Sequence, residues 1–156
     1  MKKISIEEKI VLLLEKNNYH ISFAESMTGG MLASTIVNVS GASNVLDRSF
    51  ITYSNISKHE ILGVSLETIE KYDVVSIPVV LEMVEGLYNI TNAQICVSVS
   101  GYANGYLDNK GKVCYAIRFI DKITTNEVII DGNRNQVRIK ATHMILKDVY
   151  KLIKGV

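Results

Sequence analysis

The stretch FAESMTGG, residues 23–30, lies between a predicted strand at 20–24 and a predicted helix at 31–37. A plain strand-to-helix connection needs only a turn residue and a cap, whereas this one carries a carboxylate, two hydroxyls and two glycines. Because a strand that enters a helix through a glycine-containing turn presents backbone N–H groups outward, it favours a phosphate or a developing oxyanion. The stretch therefore predicts an α/β unit with a candidate functional site in its turn.

Two interpretations of this turn remain open on its residues alone. In the first, Ser26 faces a cavity as a nucleophile and Thr28 caps the following helix. In the second, the two hydroxyls only satisfy backbone groups of a capped turn. The turn is not a P-loop, because no GKS or GKT follows it, and it lacks the G-x-S-x-G pattern of a hydrolase nucleophile elbow.

Strands and helices interleave along the rest of the chain. This order predicts a single α/β domain over residues 1–156, with three layers and a mixed β-sheet flanked by helices. Apolar spacing and capping residues predict helices at 6–16, 31–37, 56–62, 65–71, 76–89 and 133–153. Apolar runs predict strands at 20–24, 49–53, 93–100, 113–120 and 127–130. The last two strands are expected to form a hairpin through Thr124, Thr125 and Asn126.

The composition argues against several classes of protein. A formal charge of +1, from 17 basic and 16 acidic residues, is not typical of a protein that coats nucleic acid. Glu7, Glu8 and Lys9 interrupt any signal-peptide pattern, and no apolar run approaches the roughly 18 residues that span a bilayer. Cys96 and Cys114 lack metal-ligand spacing and are predicted to be buried free thiols. We therefore expect a cytoplasmic protein that uses no metal, membrane or nucleic acid.

A serine nucleophile at Ser26 needs a general base. The three histidines, His20, His59 and His143, are interpreted as packed or surface residues. A lysine can serve only if its pKa falls from about 10.4 toward neutrality through desolvation or nearby positive charge. The candidate is Lys58, which ends the segment ITYSNISK, although a surface lysine is the commoner explanation.

Five motifs follow one another along the chain: AESMTGG (24–30), ITYSNISKHEILGV (51–64), VVS (74–76), VSVSGYANG (97–105) and DGNRNQVR (131–138). Together they resemble the CinA C-terminal domain family, and the resemblance covers about residues 6–152. This family includes the nicotinamide-nucleotide amidohydrolases, also called nicotinamide mononucleotide deamidases. The resemblance implies the short, stand-alone form of the family.

The resemblance also implies catalytic roles. The serine nucleophile of the family falls on Ser26 and its lysine on Lys58, and Tyr53 and Ser100 are expected to hold that lysine and relay protons. Neutral Lys58 would take the proton of Ser26, which attacks the carboxamide of nicotinamide mononucleotide. The oxyanion would rest on backbone donors at 27–30, and water would release nicotinic acid mononucleotide. No cofactor or metal is implied.

Substrate-binding roles are implied for Glu25, Thr28, Gly29, Gly30, Gly101 and Arg134. Arg134 is the candidate for the phosphate of a pyridine nucleotide, because a guanidinium binds phosphate through two donors. Arg138 lies four residues further along the same helix and shares its face. Either arginine could instead pair with acidic side chains at a subunit contact, since the resemblance suggests a homo-oligomer, a dimer or higher.

Four positions or segments depart from the family pattern, and the largest departure leaves an alternative function open. Met27 replaces a cysteine with little expected effect, Ser100 replaces a threonine and Asn133 an aspartate. The larger change is in the loop, where the family's TGIAGP becomes SGYANGYLDNKG at 100–111. Tyr102 and Tyr106 in that loop could stack on a pyridine ring or simply lie at the surface. The alternative is a diverged member with altered or lost catalysis, which acts as a nucleotide-binding or competence- and recombination-associated interaction protein.

Overall fold

A five-stranded mixed β-sheet forms the centre of the protein, in a computed structural model that describes residues 2–104 and 110–156. The strands are β1 (Ile21–Glu25), β2 (Phe50–Ile51), β3 (Ile95–Gly101), β4 (Lys112–Phe119) and β5 (Lys122–Ile129). Their order across the sheet is β2-β1-β3-β4-β5. β1 pairs in parallel with β2 and β3, whereas β4 pairs antiparallel with both β3 and β5. The predicted mixed sheet is confirmed.

Helices cover both faces of the sheet. In the described residues they are α1 (Ile6–Asn17), α2 (Met31–Val37), α3 (Asn55–Leu62), α4 (Leu66–Tyr72), α5 (Ile77–Thr91) and α6 (Arg134–Ile153). A short 3₁₀ turn lies at Ala42–Asn44. One hydrophobic cluster joins the sheet to α1, α2 and α6, and a second joins its other face to α3, α4 and α5. The three-layer α/β architecture predicted from the sequence is therefore confirmed.

Capping residues explain why the helix bounds agree with the predicted ones to within two residues. Ser5 forms a capping box with Glu8 at the start of α1, and Asn133 forms one with Gln136 at the start of α6. Ser76 accepts a hydrogen bond from the Val79 N–H at the start of α5. Each cap satisfies backbone donors that the first helical turn leaves unpaired, so local sequence is enough to place these ends.

The predicted position of the final hairpin turn is wrong. Thr124, Thr125 and Asn126 lie within β5 and pair with β4, and the chain reverses instead at Ile120 and Asp121. Ile120 has φ +59°, a left-handed conformation that a β-branched residue rarely adopts. β5 is an edge strand whose residues are mostly exposed, so its polar side chains mimic the composition of a turn.

The connections around β1 place one crevice at the carboxyl ends of the parallel strands. The chain passes from β1 to β2 through α2 on one face of the sheet, and from β2 to β3 through α3, α4 and α5 on the other. Ligands bind at such a switch point in open α/β sheets. The strand predicted at 49–53 is shorter than expected, because only Phe50 and Ile51 pair with β1. The residues that follow them are therefore released toward the crevice.

The described part of the chain holds no helix with both the length and the apolar character that crossing a bilayer requires.

Candidate active site

A cavity of about 510 Å³ lies at the carboxyl ends of β1, β2 and β3. Its charged lining residues among those described are Lys58 and Arg134, and no carboxylate lines it. The full lining is Ser26, Met27, Tyr53, Asn55, Lys58, Val74, Val75, Ser100, Gly101, Tyr102, Ala103, Asn104 and Arg134. Because its described charged groups are positive and the rest of its described lining is neutral, this cavity favours an anionic or carbonyl-containing ligand.

Ser26 and Lys58 meet at the base of this cavity. Ser26 follows the last residue of β1, and Lys58 lies in the first turns of α3, which begins four residues after β2 ends. The Lys58 Nζ lies 3.1 Å from the Ser26 Oγ. The interpretation in which Ser26 only satisfies backbone groups is therefore wrong, since its hydroxyl is hydrogen-bonded to a lysine across the crevice.

The environment of Lys58 is unusual for a lysine. Its side chain is 1% exposed, and the Nζ donates to the carbonyl oxygen of Thr52 at 2.6 Å. Burial lowers the pKa of Lys58 to about 8, because desolvation disfavours the charged ammonium. A neutral amine that donates one N–H to Thr52 keeps its lone pair for the Ser26 proton, as a general base requires.

Glu25 supports the turn from behind rather than lining the cavity. Its Oε1 accepts from the N–H groups of Gly30 at 3.2 Å and Leu32 at 3.0 Å, and its Oε2 from Ala33 at 3.1 Å. The carboxylate thus caps α2, the role that the sequence predicted for Thr28. The Thr28 hydroxyl is buried and has no hydrogen-bond partner among the described residues.

The backbone donors of the turn are unequal. The Gly29 N–H donates to the Ser26 carbonyl at 3.0 Å, and the Gly30 N–H is held by Glu25. The N–H groups of Met27 and Thr28 have no acceptor within the described part of the chain. The predicted donor set at 27–30 is therefore reduced to these two groups as oxyanion candidates.

Tyr53 and Ser100 line the cavity, but neither is hydrogen-bonded to Lys58. The Ser100 hydroxyl donates to the carbonyl of Val74 at 2.9 Å. Tyr53 is 59% exposed, and its hydroxyl accepts from Arg134 at 2.8 Å. The expectation that these two residues hold the lysine is therefore not met, and the Thr52 carbonyl does so instead.

The two arginines of α6, Arg134 and Arg138, have different hydrogen-bond partners. Arg134 lies at the rim of the cavity, where it donates to the Tyr53 hydroxyl and to the Asn104 side chain. Arg138 does not line the cavity and donates to backbone carbonyls of the turn after Ser26. Neither forms an ion pair with a described acidic residue of this chain, and the alternative, a pairing with acidic side chains across a subunit contact, stays a prediction.

Gly101 and the loop beyond it shape the remaining wall. A Cβ at Gly101 would lie 3.0 Å from the Cγ of Met27 and 3.0 Å from a methyl group of Val113. Glycine here leaves room for the side chains of Met27 and Val113. Tyr102 donates to both carboxylate oxygens of Asp73, at 2.8 and 2.7 Å, and lines the cavity. Tyr106 lies outside the described residues.

Sequence reasoning missed three contributors to the site. The Thr52 carbonyl gives no signal, because a backbone oxygen carries no residue identity. Asn55 lines the cavity from the start of α3, and Asn104 lines it from the loop after β3. Asparagine is common at such positions because its side chain hydrogen-bonds nearby backbone groups, so neither residue stands out in the sequence. None of the histidines lines the cavity as described, and within 2–104 and 110–156 no three His, Cys, Asp or Glu side chains are grouped as metal ligands.

Comparison with known proteins supplies the family context. The CinA C-terminal domain model matches residues 3–153. A CinA-like protein of Fervidobacterium nodosum is 45% identical over 134 residues, which cover 83% of this chain and 33% of that protein. A CinA-like protein of Thermotoga maritima is 40% identical over 154 residues, which cover 96% and 38%. The chain thus spans about a third of the length of these curated relatives.

Solved structures share the whole architecture. A competence or damage-inducible protein from Enterobacter asburiae superposes with a TM-score of 0.91 at 28% identity, covering 97% of this chain and 99% of that one. The competence/damage inducible protein CihA from Agrobacterium tumefaciens gives a TM-score of 0.88 at 29% identity, with coverage of 97% and 99%.

Proposed function

The chain belongs to the CinA C-terminal domain family, and on that premise we propose that it hydrolyses the carboxamide of nicotinamide mononucleotide. The products are ammonia and nicotinic acid mononucleotide. The observation that carries the proposal is the buried Lys58, whose Nζ lies 3.1 Å from the Ser26 Oγ with a pKa lowered to about 8. A serine beside a neutral amine is an activated nucleophile.

In the first half of the reaction, the Ser26 Oγ forms a bond to the amide carbon while its proton moves to Lys58. The carbonyl oxygen becomes an oxyanion, for which the available donors are the N–H groups of Met27 and Thr28, which have no acceptor among the described residues. Lys58 then gives its proton to the amide nitrogen, the carbon–nitrogen bond breaks and ammonia leaves. An ester between Ser26 and the nicotinoyl group remains.

In the second half, Lys58 accepts a proton from water, and the resulting hydroxide attacks the ester. The bond to the Ser26 Oγ breaks, the oxygen regains its proton from Lys58, and nicotinic acid mononucleotide is released. The same amine thus serves twice, as base and then as acid, which one titrating group with a pKa near neutrality can do.

The cavity supports this substrate class through its charge and size. A volume of about 510 Å³ lies within the range of small-molecule sites. Arg134 at the rim contacts only neutral groups among the described residues, so its charge remains available to a phosphate. The phosphate would then lie at the mouth of the cavity, with the carboxamide at its base beside Ser26.

The deciding experiment is ammonia release from nicotinamide mononucleotide by the purified chain and by two variants. We expect Ser26→Ala and Lys58→Met each to lose about a thousandfold or more in kcat, since nucleophile and base act as one unit. Release that survives Ser26→Ala would contradict the assignment. Retention of the nucleotide without turnover by the folded parent chain would favour the alternative, a nucleotide-binding protein without catalysis.

The pH dependence tests the lysine separately. With a pKa of about 8, only about a tenth of Lys58 is neutral at pH 7. We therefore expect kcat/KM to rise about tenfold from neutral pH to a plateau above about pH 9. A profile that is flat across this range would exclude Lys58 as the base, even if the chain releases ammonia.

A further inference from the structure

Arg138 reaches from α6 to the turn that follows the proposed nucleophile. Its Nε donates to the Met27 carbonyl at 2.7 Å, and its Nη2 donates to the Thr28 carbonyl at 3.2 Å. The remaining Nη1 donates to Asn135 at 3.4 Å. One guanidinium therefore binds two successive peptide carbonyls directly after Ser26, a use of arginine that its planar set of donors allows.

Peptide geometry links these carbonyls to the oxyanion donors. In a trans peptide the C=O and N–H point in opposite directions. The Met27 carbonyl belongs to the same peptide group as the Thr28 N–H, so Arg138 fixes that N–H on the side away from α6. The Ser26 carbonyl and the Met27 N–H also belong to one peptide group. This carbonyl accepts from the Gly29 N–H at 3.0 Å, and the bond fixes the direction of the Met27 N–H.

We propose that Arg138 is a positioning residue, which holds and polarises the Met27–Thr28 peptide so that its N–H group stabilises the oxyanion formed at Ser26. The inference rests on the proposed acyl-transfer chemistry of Ser26. It adds an oxyanion-positioning role that the hydroxyls of Tyr53 and Ser100 and the amine of Lys58 do not supply. The cation lies at the oxygen end of the peptide dipole, where it increases the partial positive charge on the N–H. Such preorganised donors are effective in a site from which water is excluded.

Gly29 is a second observation that favours this role. It has φ +57°, and a Cβ at this position would lie 3.0 Å from the Arg138 Nη2. A side chain here would press on the guanidinium where it binds the Thr28 carbonyl. The glycine therefore both permits the turn and leaves room for the arginine.

The division between the two arginines of α6 makes the inference specific. Arg134 lines the cavity, whereas Arg138, one turn further on, lies behind the turn and outside the lining. Loss of a substrate-binding cation raises KM, whereas loss of an interaction made only in the transition state lowers kcat. We thus expect different kinetic signatures from neighbouring residues of one type.

The test compares Arg138→Ala, Arg138→Lys and, as a matched control, Arg48→Ala. Arg48 is exposed and pairs with Asp47 away from the cavity. For nicotinamide mononucleotide hydrolysis we expect Arg138→Ala to lower kcat about tenfold to a hundredfold with KM nearly unchanged. Arg138→Lys should be intermediate, and millimolar methylguanidinium should restore part of the activity of Arg138→Ala. The control should match the parent chain.

A second readout separates this inference from the substrate assignment. A fluorophosphonate reacts with an activated serine, whose oxygen bonds to phosphorus as fluoride leaves, and its rate depends on the same oxyanion donors. If the parent chain is labelled at Ser26 but releases no ammonia, the proposed substrate is wrong, and the labelling rate then tests Arg138. Slower labelling of Arg138→Ala, rescued by methylguanidinium, supports the inference.

Several outcomes would overturn it. Equal labelling rates for Arg138→Ala and the parent chain would show that the guanidinium does not act on the reacting centre. A rise in KM with unchanged kcat would make Arg138 a binding residue. Absence of both labelling and hydrolysis in the folded parent chain would reject the inference and the proposed function together. If Arg138→Ala fails to fold, Arg138→Lys provides the same comparison.

Discussion

The parallel and antiparallel halves of the sheet differ in where they keep polar side chains. In the parallel half, every residue of β1 is buried, and the turn after it buries Ser26 and Thr28 while the neighbouring α3 buries Lys58. In the antiparallel half, β5 is largely exposed, and its carboxylate Glu127 pairs with Lys112 at 3.5 Å near the surface.

This contrast follows from the topology. The ends of parallel strands that lie beside a switch point open into a crevice, where polar groups can be desolvated and still face a ligand. An antiparallel edge strand has one face in water, so its polar groups contribute to solubility and pairing. The functional chemistry is therefore expected in the first half alone, and the following substitutions test that division.

The largest expected effect on stability is from Lys58→Met. Because burial lowers the pKa of Lys58 from 10.5 to about 8, the unfolded parent chain binds a proton between these pH values that the folded chain does not. The free energy of unfolding of the parent therefore rises with pH across this window. Below about pH 8, the need to deprotonate Lys58 on folding lowers the free energy of unfolding of the parent by its full amount, on the order of 3 kcal/mol. Lys58→Met has no ionisable group at this position and carries no such cost.

We therefore expect Lys58→Met to be more stable than the parent at neutral pH, with a difference that narrows toward pH 10.5. The lost hydrogen bond to the Thr52 carbonyl offsets part of the gain. Urea denaturation at a series of pH values measures the difference. A gap that stays constant with pH would mean that the lysine is not desolvated in the folded chain.

Glu25→Gln is the next largest change. The variant keeps one acceptor oxygen but presents an NH₂ group to a helix N–H, so at least one buried donor loses its partner and the α2 terminus loses a negative charge. We expect a loss of about 2 kcal/mol in the free energy of unfolding, together with reduced hydrolysis because the Ser26 turn is less well held.

The matched control is Glu127→Gln in the antiparallel half. In the parent chain the exposed ion pair of Glu127 with Lys112 should contribute less than about 0.5 kcal/mol to the free energy of unfolding. We therefore expect Glu127→Gln to leave stability nearly unchanged and hydrolysis unchanged. Urea denaturation and ammonia release, measured under identical conditions, compare Glu25→Gln with Glu127→Gln. Equal losses of stability would remove the distinction between the two halves.

A smaller effect than that of Glu25→Gln, and of opposite sign, is expected from Ile120→Asn at the hairpin turn. Asparagine tolerates φ near +59° better than a β-branched residue does, so we expect a gain of about 1 kcal/mol in stability. Ile129→Asn serves as the control, because it is also exposed but lies in regular β5 and should show no gain. Hydrolysis should be the same in both, and a change in either would mean that the hairpin affects the site.

The helices and the site motif could be predicted because their signals are local. Ser5 with Glu8, Ser76 and Asn133 place helix starts within one turn of chain, and apolar spacing gives the buried face. The hairpin turn could not be placed in this way, since Ile120 is a poor turn residue and its conformation follows from the pairing of β4 with β5. The position of this turn is therefore set by the pairing of the two strands and not by the residues of the turn.

Residue types and their spacing were enough to predict the alternation of strands and helices and the family, and the family resemblance implied the pairing of Ser26 with Lys58. The folded chain was needed to show that Glu25 rather than Thr28 caps α2, that the Thr52 carbonyl holds Lys58, and that Arg134 and Arg138 have different partners. One cause accounts for all three. Residue types and spacings encode local structure, whereas burial, and the choice among several polar groups of one partner, depends on elements brought together from distant parts of the chain.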